Sequence, residues 1–164
     1  MKSEIIIVDE KDNIIGNKPR DVVDKQSLRY RVSALWIKNS KGESLLARRA
    51  YTKTHYPGRW GPAVSGTVEK GESYEENIIK ETNEEIGLKN IKLNIGSKVY
   101  VKGKYNHFTQ WFTTIVDKPI NHFKIQDEEV AEVKWFSKKE LIKQINNNPK
   151  EFLKNMDKYL KLFS

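Results

Sequence analysis

Glu81, Glu84 and Glu85 crowd three carboxylates into five residues, downstream of Gly66 and Glu72 and just before Ile86-Gly87-Leu88. At i, i+3 and i+4 they share one face if the segment is helical, within side-chain reach of a common point. Like charges that close destabilise a bare helix. A hard divalent cation such as Mg2+, which takes several oxygen ligands, turns the repulsion into coordination. Local signals still specify a helix: Ser73 and Glu76 have capping-box spacing, and Gly87 falls where a left-handed C-terminal cap belongs. Ile78, Thr82 and Ile86 form its core-facing stripe, so the acids lie beside that stripe and face a cleft.

The surrounding pattern is rich in strands. Ile5 to Val8 and Asn13 to Gly16 flank the turn Asp9-Glu10-Lys11-Asp12, and Arg31 to Lys38 and Glu43 to Arg48 flank Asn39-Ser40-Lys41-Gly42, two hairpins. Arg48 to Trp60 reads as a polar, aromatic loop leading to the apolar step Ala63-Val64. Strands are expected over Ile91 to Val101, His107 to Val116 and Val130 to Phe136. A second capping box, Ser137 to Glu140, opens a helix over Leu141 to Ile145. Asn148-Pro149 starts a last helix on which Phe152, Leu153, Met156, Tyr159, Leu160 and Phe163 keep helical period. Many strands and few helices predict an α/β chain with a mixed sheet and flanking helices.

With 164 residues, 37% of them hydrophobic, the chain suffices for one cored domain, 1–164, and is short for two. No apolar run approaches the roughly 20 residues of a membrane helix, and no signal-peptide layout opens the chain. Zero cysteines exclude disulfides, thiolate metal sites and cysteine nucleophiles, and the cytoplasm is the expected compartment. The net charge of +8 favours anionic ligands. Its lysines are scattered, with no nucleic-acid-binding signature, so a small-molecule partner is expected, with the protein a monomer or homodimer.

The spacing Gly66-x5-Glu72-x7-Lys80-Glu81-Thr82-x-Glu84-Glu85-x-Gly87-Leu88 resembles the Nudix box, the signature of Nudix hydrolases. Two positions depart from it. Lys80 stands where the family has arginine, which implies a looser hold on the neighbouring acids, since an ammonium lacks the planar fork of a guanidinium. Thr82 replaces an aliphatic residue, keeps a branched shape and can satisfy its hydroxyl on the preceding turn. The resemblance implies an α/β/α sandwich and hydrolysis of an X-linked diphosphate. Glu81, Glu84, Glu85 and a backbone carbonyl at Ser65 or Gly66 are then the metal ligands for one to three Mg2+, with Mn2+ an alternative, and the metal acidifies the attacking water. The general base is a box glutamate or Asp127, Glu128, Glu129 or Glu132, with Glu128 and Glu129 the favoured pair. Glu72 and Lys80 support the loop and helix from behind.

Val8-Asp9-Glu10, Gly16, Arg20, Arg48-Arg49-Ala50, Lys53, Pro57-Gly58 and Trp60 further resemble the isopentenyl-diphosphate isomerase branch of the same superfamily. That branch implies that Arg20, Arg48 and Lys53 grip a diphosphate. Trp60, Trp111 and Tyr56 are able to stack on a base or cover a chain, with Trp60 expected against substrate, although large aromatics in a small domain are more often core. The isomerase's own groups are replaced. Ser65 stands at its cysteine, Thr67 and Tyr30 at metal-binding histidines, and Tyr105 and His107 at glutamates. The expectation is therefore hydrolysis; isomerisation, or a non-catalytic diphosphate sensor, is the alternative.

Overall fold

The computed structural model of the chain describes residues 2–164. A nine-stranded mixed sheet comprises β1 (Glu4–Val8), β2 (Ile14–Pro19), β3 (Tyr30–Lys38), β4 (Ser44–Arg49), β5 (Trp60–Pro62), β6 (Val64–Thr67), β7 (Asn94–Val101), β8 (His107–Ile115) and β9 (Val130–Phe136). Its helices are α1 (Arg20–Lys25), α2 (Tyr74–Ile86), α3 (Lys138–Asn147) and α4 (Met156–Leu162). Strand β3 is the hub, parallel to β8 along its whole length and antiparallel to β6. Its hairpin partner β4 stays paired with it only at Ile37–Leu45 and Lys38–Ser44. Beyond those two pairs the strands splay. Strand β6 takes over the free edge of β3, and β5 and β9 pair with β4, so a cleft opens between the two groups of strands.

The period of two along each strand assigns residues to two cores. Leu35, Ile37, Leu45 and Phe112 face α2, where Ile78 and Ile86 meet them. Ala34, Trp36, Leu46 and Trp111 face the opposite way, under Leu141 of α3 and Met156 and Leu160 of α4. Helices therefore cover both faces of the sheet. No helix among the described residues is long and apolar enough to cross a membrane.

Helix α2 has the expected ends. Ser73 Oγ accepts from the Glu76 amide (3.1 Å), Glu76 Oε2 accepts from the Ser73 amide (2.8 Å), and Gly87 closes the helix at φ 71°. Thr82 donates its hydroxyl to the Ile78 carbonyl (2.6 Å), which removes the cost of burying it. At α3 only half of the expected capping box forms. Ser137 Oγ caps the Glu140 amide, but the Glu140 carboxylate turns to Lys134 instead (3.0 Å).

The C-terminal segment corrects the expectation of one helix from Asn148. Pro149–Glu151 is a single 3-10 turn, Phe152 is extended and bridges Trp60, and the Leu153 amide donates to the Trp60 carbonyl (2.9 Å). Asn155, at φ 71°, then starts α4. The free edge of the short strand β5 takes backbone partners from this segment, and that pairing overrides helical periodicity. The six-residue helix α1 has no side-chain cap and buries only Val23, so no local signal marked it.

Gly87 is the local choice most exposed to test. An alanine there carries about 1–2 kcal/mol of left-handed strain, and its Cβ would lie 2.9 Å from Lys124 Cβ. Gly87→Ala is expected to lower Tm by about 3–6 °C in thermal denaturation; an equal or higher Tm would contradict the cap assignment.

Candidate active site

The splay of β3 from β4 opens into a cavity of about 1180 Å3. Strand β6 lies along one wall, and Gly66 on it touches α2 so closely that a side chain has no room. A Cβ there would run into the Glu81 side chain and lie 2.8 Å from Asn77 Oδ1. The glycine thus lets the helix bring its acids against the strand backbone. Glu81 and Glu85, one turn apart, both line the cavity, as do Ser65 and Gly66. Glu84 is exposed and lies outside that lining, though its charge still reaches Glu81. Among the described residues no three acidic or imidazole side chains already converge as a metal cage.

These two acids are electrostatically frustrated. Burial pushes the Glu85 carboxyl up to about 8, and the nearby charges of Glu81 and Glu129 push the same way; Glu85 is only 7% exposed. Burial also raises Glu81, to about 7, with Glu84 and Glu129 adding repulsion against the help of Lys80. A pair of desolvated carboxylates beside strand backbone suits a hard divalent cation, which takes oxygen ligands and removes the repulsion. The donor set therefore fits Mg2+ or Mn2+.

Behind the acids, Lys80 Nζ donates to Glu72 Oε1 (2.5 Å) and Glu69 Oε2 (3.0 Å) and lies 3.7 Å from Glu81 Oε1. Burial opposes the lysine charge, but the bonds to Glu72 and Glu69 outweigh it and hold the pKa above the ordinary lysine value. Of the four carboxylates expected on a later loop, Glu128 and Glu129 line the cavity, whereas Asp127 is exposed outside it and Glu132 lies on β9, exposed and outside it. Glu129 is paired with Lys53, which also lines the site.

The cationic side differs in detail from the expected set. Arg48 and Arg49 are neighbours on β4, at a bulge opposite β9. The guanidinium of Arg48 is engaged by the Gly58 carbonyl (2.8 Å) and Glu151 (2.6 Å), and rests over the Tyr51 and Trp60 rings. In Arg49 only Nε is engaged among the described residues, by the His55 carbonyl (2.8 Å), so its terminal nitrogens remain for a ligand. Burial lowers its pKa, while Glu85 and Glu129 support its charge. Trp60, expected against substrate, is instead a core residue packed edge-on to Phe136 and outside the cavity lining. Strand alternation carries its ring into the core beneath α4.

Arg20 is locked in place. Its nitrogens reach Asp24 (3.2 Å), Thr67, the Tyr30 hydroxyl (3.4 Å) and His55 Nδ1 (2.8 Å), and its guanidinium lies 4.8 Å above the Tyr30 ring. An arginine only donates, so His55 Nδ1 accepts and its Nε2 carries the proton toward Asp24 (2.8 Å). The His55 ring stacks on Tyr105 at 3.8 Å. Burial lowers the His107 pKa to about 4, with Arg20 and His55 adding to the shift, so it is neutral at pH 7. Tyr30 and Thr67, which the isomerase resemblance sets at metal-binding histidines, thus hold a guanidinium here. Arg49 entered the sequence reading only as part of Arg48-Arg49-Ala50, without a role of its own, and His55, Asp24 and Asn77 escaped it. Only Arg49 had a signal, the alternation of side chains along β4.

The raised acids make folding depend on pH. Between their ordinary value of 4.5 and their folded values of about 7 and 8, the folded chain binds more protons than the unfolded chain, so stability falls as pH rises. His107, depressed from 6.5, acts in the opposite sense but only below that value. From pH 6.5 to 8, the metal-free Tm is expected to fall by about 3 °C or more. Mg2+ should reverse most of the fall and Glu85→Gln should flatten it. A flat profile in the native protein would contradict the buried acid pair.

Comparison with known proteins agrees with this geometry. The NUDIX domain model matches residues 27–156. An uncharacterised Nudix hydrolase of Pseudomonas aeruginosa is 30% identical over 131 residues, 78% of this chain and 75% of that one. An isopentenyl-diphosphate Delta-isomerase of Photorhabdus laumondii is 28% identical over 158 residues, 91% of this chain and 85% of that one. A crystal structure from Deinococcus radiodurans superposes with a TM-score of 0.81 at 19% identity, covering 96% of this chain and 97% of that one, a likeness of fold. With the box acids against Gly66 and the match spanning most of its length, the chain belongs to the Nudix family and is a Nudix pyrophosphohydrolase.

Proposed function

We propose that this chain cleaves the phosphoanhydride bond of an X-linked diphosphate, nucleotide-like or another organic pyrophosphate, with Mg2+ as the cation and Mn2+ as a substitute. One observation carries the reading: two desolvated carboxylates, Glu81 and Glu85, share a cavity with the cations Arg20, Arg49 and Lys53. An anionic diphosphate alone would be repelled by the acids, and a divalent cation alone by the arginines. A cation and a diphosphate together satisfy both sets.

Glu81 and Glu85 would hold the cation, with Glu84 and a backbone carbonyl at Ser65 or Gly66 as the further oxygen donors. When bound, it supplies positive charge to the phosphates and acidity to water. Arg49 and Arg20 orient the diphosphate, and Arg20 needs no reorganisation because Asp24, Thr67, Tyr30 and His55 already fix it. Arg48, tied to Gly58 and Glu151, shapes the loop that carries the substrate-facing residues. Glu128 and Glu129, which line the cavity, are the candidates to accept a proton, and the Lys53 pairing orients Glu129. The pairings that run from Glu4 to Phe152 support one catalytic domain, 1–164. The cysteine-free composition supports a cytoplasmic setting.

A panel of nucleoside, sugar-nucleotide, dinucleotide, thiamine and prenyl diphosphates, assayed with Mg2+ for phosphorylated products by 31P resonance, is expected to yield at least one substrate. On that substrate Glu85→Gln should lower kcat about 100-fold, some 2.7 kcal/mol of barrier, while raising metal-free Tm above pH 7. Full activity in Glu85→Gln would remove the cation-site assignment.

A further inference from the structure

We propose that Asn77, which lies at an unconstrained position of the box, is a positioning residue of the cation site and forms with Lys80 a two-part fork in place of a single arginine. The proposal rests on the cation site argued above. A guanidinium can take both oxygens of a carboxylate in one plane, whereas an ammonium is a point donor. The two oxygens of Glu72 show how this chain divides the task. Lys80 Nζ takes Oε1 at 2.5 Å, and Asn77 Nδ2 takes Oε2 at 2.9 Å.

Asn77 also ties the strand to the helix. Its Nδ2 donates to the Thr67 carbonyl on β6 (3.0 Å) and lies 3.5 Å from Glu81 Oε1, so that oxygen sits between Asn77 and Lys80, 3.7 Å away. Ser33 Oγ donates to Asn77 Oδ1 from the other side. Two acceptors on one side fix which amide atom is nitrogen, and Asn77 is fully buried, so the amide has a single orientation. Its place one turn before Glu81 on α2, against Gly66, puts the amide behind the acid that must face the cavity. A neutral amide supplies this hold without adding another charge to a site that already buries several.

The test measures Mn2+ binding, by the resonance of the free hydrated ion, in the native chain, Asn77→Ala, Lys80→Arg and the double variant. Asn77→Ala is expected to raise the Mn2+ Kd about tenfold. Lys80→Arg should recover most of that loss in the Asn77→Ala background and improve the native chain by less than about twofold. Because Asn77→Ala strands the buried Ser33 hydroxyl, Ser33→Ala/Asn77→Ala, which removes both partners, guards against simple misfolding and should show the same tenfold loss. A lower Tm with an unchanged Mn2+ Kd would overturn the proposal, since a merely structural role predicts that pattern. Equal gains from Lys80→Arg in both backgrounds would overturn it too. A chain that binds Mn2+ with these couplings yet cleaves no diphosphate would leave the fork standing and remove the hydrolase reading.

Discussion

The contact of Gly66 with the Glu81 side chain is the constraint on which the rest of the site depends. It exists because β6 and α2 approach too closely for any larger residue. That approach withdraws Glu81 and Glu85 from water without giving either one a full counter-charge. The fold can hold such a pair because α2 is well anchored elsewhere. Both of its ends are capped, and Ile78, Thr82 and Ile86 are buried against β3 and its neighbours. Stability drawn from the apolar stripe offsets the strain of the acidic one, which the proposed cation would relieve.

The second requirement is a place for the substrate, and the early divergence of β3 and β4 provides it. Had the hairpin stayed paired beyond Ile37 and Leu45, the cavity would be closed by the sheet itself. The strands that fill the exposed edges also deliver the chemistry. Strand β6 brings Gly66 to the acids, and β4 brings Arg49 in from the opposite side. The short helix α1 contributes Arg20, and four residues, Asp24, Tyr30, His55 and Thr67, set its direction. Across this gap Lys53 pairs with Glu129 and Arg20 with Asp24, while Arg49 has no ion pair with Glu81 or Glu85 among the described residues.

Features written in local spacing were readable from the sequence. The caps of α2, the acid spacing and the hairpins over residues 4–49 depend on neighbours along the chain, and the structure has them. Features set by distant partners were not. The segment after Asn148 has helical periodicity, but the open edge of β5 recruits Phe152 and Leu153 into a bridge, so the helix begins only at Met156. Trp60 sits beside the polar loop in sequence, yet its strand position turns it into the core. Arg48 and Arg49 carried the resemblance together, but only Arg49 keeps both terminal nitrogens unengaged among the described residues, a distinction that depends on Glu151, which holds Arg48 from far along the chain. Lys80 stood out as a departure from the box; its complement Asn77 did not, because no pattern constrains that position.

On the proposed function the acids held at Gly66 serve attack of water on phosphorus, while Tyr30 and Thr67, at positions resembling an isomerase's histidines, hold Arg20 instead. The most direct measurement follows both outcomes in one preparation, using 18O-labelled water with a cleaved diphosphate and deuterated water with isopentenyl diphosphate, each with Mg2+. The expected result is a single 18O on one phosphate product and no deuterium on carbon, because a water is the nucleophile and Ser65, Tyr105 and His107 stand at the isomerase's cysteine and glutamates. Carbon-bound deuterium without label on phosphate would contradict it.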